Sequence, residues 1–439
     1  MQQYREYKDS GIEWIGKIPV GWDIHRLKKL IEKHQIGIWG GEPNDKDNNI
    51  ICVRIADFNF EKFSIESNEY TVRSYTSDQI TRFKLPQNTI LIEKSGGGEN
   101  SPVGRVVMFD HNCPAVCANF IEAITPMHTL YPKFLLYFFI TAYYAGINKK
   151  YIKQTTGIQN LDIERYLYEQ IALPPLPEQE AIAAYLDEKT THIDSAIANL
   201  QLQAEKLSAY KRQLIAKTVR RGLNETVTYK DSGIEWIGKI PAGWEVVPLK
   251  TVAKDNRTRN IGMQCNVLLS LSYGNIITKD INSSFGLIPE NFETYQIVNP
   301  GYIVLRLTDM QNDKRSLRSG YVTHRGIITS AYIGLIPMDN INNKYLSYVL
   351  HVYDLKKVYY ALGSGLRQSI KYVDIKNLPI LQPPLPEQEA IAAYLDKKIT
   401  LIASITADIQ RQIEQLKNYR KIIIHDAVTG RIKVPENAQ

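Results

Sequence analysis

Cysteine is scarce in this chain: Cys52, Cys113, Cys117 and Cys265 are the four found in 439 residues. Four thiols are too few for a disulfide framework. A membrane span is also missing from the sequence. The most apolar run, FLLYFFITAYYAGI from Phe134 to Ile147, is bracketed by Lys133 and Lys149. It falls short of the roughly 20 residues a spanning helix needs, so a buried helix is expected there. Nothing before Tyr7 has the order of a signal peptide. A soluble, cytoplasmic chain with no membrane partner is expected. Charge of one sign barely dominates, with Lys and Arg at 53 against Asp and Glu at 46, a formal net charge of +7. Such an excess permits a polyanionic partner without demanding one.

Catalytic patterns are missing too. Ser95-Gly96-Gly97-Gly98 lacks the Gly-Lys-Ser/Thr that seats a nucleotide phosphate, and a mobile surface loop is the simpler expectation. The eight histidines are scattered, and no Gly-x-Ser-x-Gly elbow occurs. There is no Asn/Asp-Pro-Pro-aromatic tetrad of the amino-methyltransferases, and no Gly-x-Gly-x-x-Gly follows a strand. His111, Cys113 and Cys117 lie close together without a second Cys/His pair at matching spacing. The apolar Ala115-Val116 beside them favours a buried thiol over a metal. The sequence therefore assigns no catalytic residue, no metal and no cofactor to this chain.

What the chain has is repetition. Tyr7 to Pro19 reads YKDSGIEWIGKIP, and Tyr229 to Pro241 repeats it; Gly21-Trp22 and Gly243-Trp244 follow. Pro174 to Asp187 reads PPLPEQEAIAAYLD, as does Pro383 to Asp396. The offsets are 222 and 209, so the first half holds 13 more residues between its blocks. A weaker frame joins them. Lys133 to Tyr137 and Lys344 to Tyr348 share Lys-aromatic-Leu-x-Tyr, and Ile90-Leu91-Ile92 and Ile303-Val304-Leu305 are strand-like runs in register. Gly157 and Gly365 precede the two Pro-rich blocks. The frames match and the loops do not, which describes two copies of one fold. At 439 residues, with 44% hydrophobic and 23% charged, the chain has room for two or three globular domains.

A long stretch without Pro or interior Gly follows each Pro-rich block, from about Glu178 to Arg221 and from about Glu387 to Thr429. In the first, Ala183, Leu186, Thr190, Ile193, Ile197, Leu200, Ala204, Leu207 and Leu214 fall on three- and four-residue steps. The second gives Ala392, Leu395, Ile399, Ile402, Thr406, Ile409, Ile413, Leu416 and Ile423. A narrow seam on a seven-residue period predicts a coiled coil. Each helix would be about 60–65 Å long at 1.5 Å per residue. Lys211 and Arg420 occupy seam positions, so the packing is expected to loosen near the C-terminal ends. The expected fold is α+β: two similar globular domains joined by two long antiparallel coiled-coil helices in a pseudo-two-fold circular arrangement. Joining Val434 to Tyr7 would make the halves nearly equivalent. The expected bounds are a globular domain at 1–173, a helical spacer at 174–223, a second domain at 224–382, a second spacer at 383–432 and a tail at 433–439.

Between the frame blocks the surface is polar and basic. The first half offers Arg54, Arg73, Arg82, Lys94, Arg105, Gln154 and Gln159. The second offers Arg306, Gln311, Asn312, Lys314, Arg315, Arg318, Arg367, Gln368 and Lys371. Arg reads guanine and Asn or Gln reads adenine bidentately in the major groove, while Lys suits phosphate. As a set these are candidate DNA contacts; any one alone is an ordinary surface charge.

The twice-used YKDSGIEWIGKIP block, the twice-used PPLPEQEAIAAYLD block and the helix after each resemble the DNA-specificity subunit of a type I restriction-modification enzyme. The resemblance spans essentially the whole chain. It implies two target recognition domains, each reading half of an asymmetric, bipartite double-stranded DNA site, with the helices setting the gap. It also implies two modification subunits that bring S-adenosylmethionine and methylate adenine at N6, and restriction subunits that add ATP- and Mg-dependent translocation and cleavage. DNA-mimicking inhibitor proteins would find a natural target on the same surface. On this reading the chain is a non-catalytic specificity subunit. A coiled-coil scaffold and a solitary DNA-binding regulator are the alternatives.

Overall fold

The seven-residue apolar repeat is carried by two helices, Leu176–Arg221 and Leu385–Val428, of 46 and 44 residues. Proline in the first turn (Pro177, Pro386) costs no hydrogen bond there, and Glu178 and Glu387 suit the positive end of the helix dipole. Gly222 and Gly430, both left-handed, follow the helix ends. This computed structural model describes residues 3–44, 48–155, 157–281, 291–310, 316–362 and 369–435. The chain divides into two units, residues 1–199 with 411–439, and residues 200–410. Each unit therefore holds one globular domain, the start of that domain's own helix and the end of the other helix.

Within the first unit, Ile182 and Leu186 share a core with Ile423, Ile424, Ala427 and Val428. Within the second, Ile391, Ala392 and Leu395 share one with Ile215 and Val219. The start of one helix lies against the end of the other both times, so the pair is antiparallel. The seam is legible in burial: Leu186, Ile193, Leu395, Ile402, Ile409, Ile413 and Ile423 are buried. Ile197, Leu200, Leu207, Leu214, Ile399 and Leu416 are half-buried. Each fully buried Leu or Ile contributes about 1.5–3 kcal/mol.

The repeated blocks build the same parts twice. Tyr7–Asp9 pairs with Lys17–Pro19, and Tyr229–Asp231 with Lys239–Pro241, in the same antiparallel register. Asp23–Arg26 pairs with Gln170–Leu173, and Glu245–Pro248 with Pro379–Gln382. A four-stranded antiparallel sheet follows in each unit. Its order is Val106–Phe109, Thr89–Glu93, Ile121–Pro126, Ile31–Ile36 in the first. In the second it is Ser319–Tyr321, Ile303–Leu305, Ile333–Pro337, Ala253–Asp255. The strand-like runs singled out in the sequence are inner strands, buried on both faces. The apolar run after Lys133 lies in the helix Pro132–Tyr144, buried from Phe134 through Ala142, and Asn343–Leu355 is its counterpart. Among the described residues no helix is long and apolar enough to cross a membrane.

A glutamine ties each domain to its helix. Gln179 accepts from Tyr131 N at 2.8 Å and donates to Pro174 O at 2.9 Å. Gln388 accepts from Asn342 N at 2.8 Å and donates to Pro383 O at 2.8 Å. Tyr137 donates to Asp187 at 2.8 Å, and Tyr348 to Asp396 at 2.5 Å. The chain end meets the opening block in the first unit: Ile432 and Val434 are buried in its core, and the Tyr7 hydroxyl donates to Arg431 O at 3.4 Å.

Two local expectations are corrected. The Gly-rich stretch is not a free loop: Ser95–Gly96 pairs with Asn160 and Gln159, and a Cβ on Gly97 would lie 2.9 Å from Val103. Arg420 does not loosen the seam, because it is 8% exposed and paired within the unit. Its Nε lies 3.1 Å from Asp194 Oδ1, its Nη2 donates to Glu61 O at 2.6 Å, and its guanidinium stacks on Phe63.

Candidate nucleic-acid interface

The parts that differ between the units lie beside the shared sheet. In the first unit Asn49–Val53 runs parallel to Ala115–Cys117 and antiparallel to Val72–Ser74. In the second, a four-stranded sheet stands there: Asn275–Lys279, Leu268–Ser272, Gly326–Ile328 and Gln296–Val298, again with one parallel contact. The first unit also carries a hairpin, Ile152–Thr155 with Ile158–Leu161, turning through the left-handed Gly157. Gly365, its sequence counterpart, lies outside the described residues.

The candidate contact residues part into groups. Gln154 on that hairpin, Arg82 on the short helix Ser77–Phe83, Arg54 and Lys371 are exposed or largely so. Arg306 is half-buried. Gln311, Asn312, Lys314, Arg315, Arg367 and Gln368 lie outside the described residues. Arg318 and Gln159 are corrections. Arg318 is 0% exposed and its guanidinium donates to Thr308 O at 2.9 Å. Gln159 is 7% exposed and accepts from Val103 N at 3.2 Å. Both side chains serve the fold, because a buried group already hydrogen-bonded has nothing to offer a base edge.

Three more cations are partly committed inside the first unit. Arg105 grips Glu93 bidentately at 2.7 and 3.0 Å and stacks on Phe60. Arg73 pairs with Glu42 over the Trp39 ring. Lys94 donates to Glu122 at 3.0 Å, and Glu122 also takes His34 Nδ1 at 3.0 Å. Glu122 lines a cleft of about 270 Å³ together with Lys94, Lys153, Asn160, Asp162 and Glu164. Lys153 pairs with Asp162 at 2.7 Å. Sequence reasoning missed His34 and Lys153, since only the strand order brings positions 34, 94, 122 and 153 together.

Chemically, these surfaces present donors and acceptors on exposed positions, as nucleic-acid recognition requires. Cys117 lies in a strand at 2% exposure, and burial pushes its thiol well above its ordinary value; Cys113 is exposed. His111 Nε2 lies 3.2 Å from Ile65 O. Among the described residues no group of three or more His, Cys, Asp or Glu side chains is placed to hold a metal.

The model of the type I restriction modification DNA specificity domain matches residues 19–205 and 274–415. The chain belongs to this family. Both matches cover one divergent region and most of the helix that follows it. This specificity subunit is 25% identical, over 99% of each chain, to a protein described as the MjaX type I restriction enzyme specificity subunit of Methanocaldococcus jannaschii. It is 22% identical to the StySPI specificity subunit of Salmonella potsdam, over 97% of this chain and 92% of that one. In fold it resembles the HsdS subunit from Thermoanaerobacter tengcongensis, with a TM-score of 0.53 at 16% identity, over 94% of this chain and 98% of that one. A chain from a structure on complex assembly and conformational transition of the type I R-M system gives a TM-score of 0.68 at 15% identity, with the same coverage. Two recognition domains and an antiparallel helix pair are thus the family's architecture, and this subunit directs a restriction-modification system to DNA.

Proposed function

We propose that this specificity subunit reads an asymmetric, two-part DNA target, one half-site per recognition domain, with the helix pair setting the unread gap. The observation that carries the reading is the contrast within the chain. Hairpin, inner sheet and glutamine tie are repeated in both units, while the second sheet is built differently. Selection for one shared half-site would keep those parts alike. Arg54, Arg82, Gln154, Arg306 and Lys371 are the described side chains proposed to reach DNA, with Lys94, Arg73 and Arg105 shaping the surface behind them. Two modification subunits would supply S-adenosylmethionine and adenine methylation, and restriction subunits ATP- and Mg-driven cleavage, so that no bond is made or broken by this chain.

The test is sequencing of modified bases in the host genome, with the gene intact and deleted. A split motif, methylated on an adenine of each strand, is expected to vanish on deletion. Exchanging residues 20–173 for the matching region of another family member should then change one half of that motif and leave the other half and the gap untouched. An unchanged motif after the exchange would sink the assignment of half-sites to domains. Tight specific DNA binding without any dependent methylation would favour a solitary regulator instead.

A further inference from the structure

The 209-residue offset of the second repeat pairs Arg420 with Lys211 and Asp194 with Ala403. In the first unit the cation meets a carboxylate of the same chain, Asp194, at 3.1 Å. The second unit keeps the cation and lacks the acid. Lys211 makes no hydrogen bond or ion pair among the described residues. It opens instead onto a cavity of about 200 Å³, lined also by Tyr321, Lys344, Tyr348, His351 and Ile399. In the first unit a separate cleft of about 50 Å³ is lined by Phe63, Ile140 and Tyr144 and not by Arg420. His351 stands where the first unit has Ile140, as Tyr348 stands for Tyr137. Its ring has no hydrogen-bond partner among the described residues.

The charges around the cavity do not balance. Lys344 is answered by Asp396 at 3.6 Å, which also accepts from Tyr348 at 2.5 Å. That leaves Lys211 as one uncompensated cation beside a neutral imidazole with an N–H to give. A single positive charge and a single ring donor suit a carboxylate better than a doubly charged phosphate, and a carboxylate is what the first unit places there. We propose that this cavity is a carboxylate-binding site in which Lys211 is the counter-ion and His351 the hydrogen-bond donor, the carboxylate coming from outside the chain. Its source is either a small free acid or an Asp or Glu side chain of a bound modification subunit. The site is independent of how the DNA target is read.

The experiment is NMR of the full chain with ¹³C-labelled histidine at pH 7, titrated with acetate, succinate and, separately, inorganic phosphate. The His351 signal is identified by its loss in His351→Ile. Succinate should shift that signal saturably, with affinity about tenfold weaker in Lys211→Met, as expected for loss of a charged partner. Lys211→Arg, which keeps the charge, should retain binding and guards against a fold defect in the Met variant. Ala403→Asp, which installs the first unit's acid, should abolish the response. Adding the modification subunit without free acid assigns the source. The same shift then points to a protein side chain, and a shift with succinate alone to a small molecule. A response that never saturates, one indifferent to Lys211→Met, or saturation by phosphate in preference to succinate overturns the proposal.

Discussion

The two units share the glutamine and tyrosine ties that hold their own helix and differ at the end of the helix that returns to them. Gln179 with Tyr137–Asp187 fastens the first domain to the start of its helix, and Gln388 with Tyr348–Asp396 repeats this in the second. The returning helix is another matter. In the first unit Arg420 reaches Asp194 on one side and the Glu61 carbonyl and Phe63 ring of the domain on the other. In the second, Lys211 makes neither link and borders a cavity. Duplication has preserved what each domain needs to grip its own helix and released what joins it to its neighbour's. Among the described residues, the second domain makes neither of these ties to the helix end beneath it.

Replacing the two seam cations gives the largest contrast. Arg420→Met strips Asp194 and the Glu61 carbonyl of their donor, and breaking one partner of a buried pair costs about 3–5 kcal/mol. Asp194 is 32% exposed, so water recovers part of that and about 2–3 kcal/mol is expected. Lys211→Met removes no ion pair and should fall within about 0.5 kcal/mol of the parent. Denaturant unfolding of both variants decides it. Equal losses would mean the two junctions are alike after all.

The glycines after the helix ends sharpen the same contrast. Gly430 and Gly222 have φ of +72° and +73°, so alanine is strained at both. A Cβ on Gly430 would collide with the Pro19 ring and come within 3.2 Å of Trp22, and neither has room to move. A Cβ on Gly222 would lie 3.1 Å from the Trp244 ring, much as one on Gly430 does from Trp22. Its nearest contact, at 2.7 Å, is Glu387 Oε1, the end of a flexible side chain rather than a ring. Gly430→Ala should cost about 2 kcal/mol and Gly222→Ala about 1 kcal/mol. The reverse order in thermal unfolding would show that the first unit's junction is the more yielding.

These junctions also mark where sequence reading stopped. The frame was legible because repetition exposes it: thirteen identical residues fold into hairpins of identical register, and three- and four-residue steps reveal a seam whichever partner fills it. Arg420 was misread because its partners, Asp194 and Glu61, are distant in sequence and nothing local announces them. Arg318 and Gln159 were misread for a related reason. Composition between two frame blocks says that a stretch is basic or amide-rich, but not which side chain the backbone turns inward. Arg105 answers a carboxylate twelve residues away across a strand pair, a contact visible only once Val106–Phe109 is known to lie beside Thr89–Glu93. Composition thus proposes candidate contacts as a region and does not say which of its side chains face outward.

The smallest expected difference is in acid. Burial, with Lys211 beside it, pushes the His351 imidazole down to about 4, against about 6.5 in an unfolded chain. Below 6.5 the unfolded state takes the proton first. The stability contributed by neutral His351 is therefore complete above about pH 6.5 and is lost as pH falls towards 4. Partial exposure and water entering the cavity reduce the effect to on the order of 1–2 kcal/mol. The first unit carries Ile140 at this position and has no such loss. His351→Ile should flatten the pH dependence of unfolding between 6.5 and 4 and leave stability at pH 7.5 nearly unchanged. Hydrogen exchange resolves the two units separately, and the acid-induced opening should appear around Asn343–Leu355 before it appears around Pro132–Tyr144. Opening of both helices at the same pH, undiminished by His351→Ile, would place the acid sensitivity in the shared frame and remove this difference between the units.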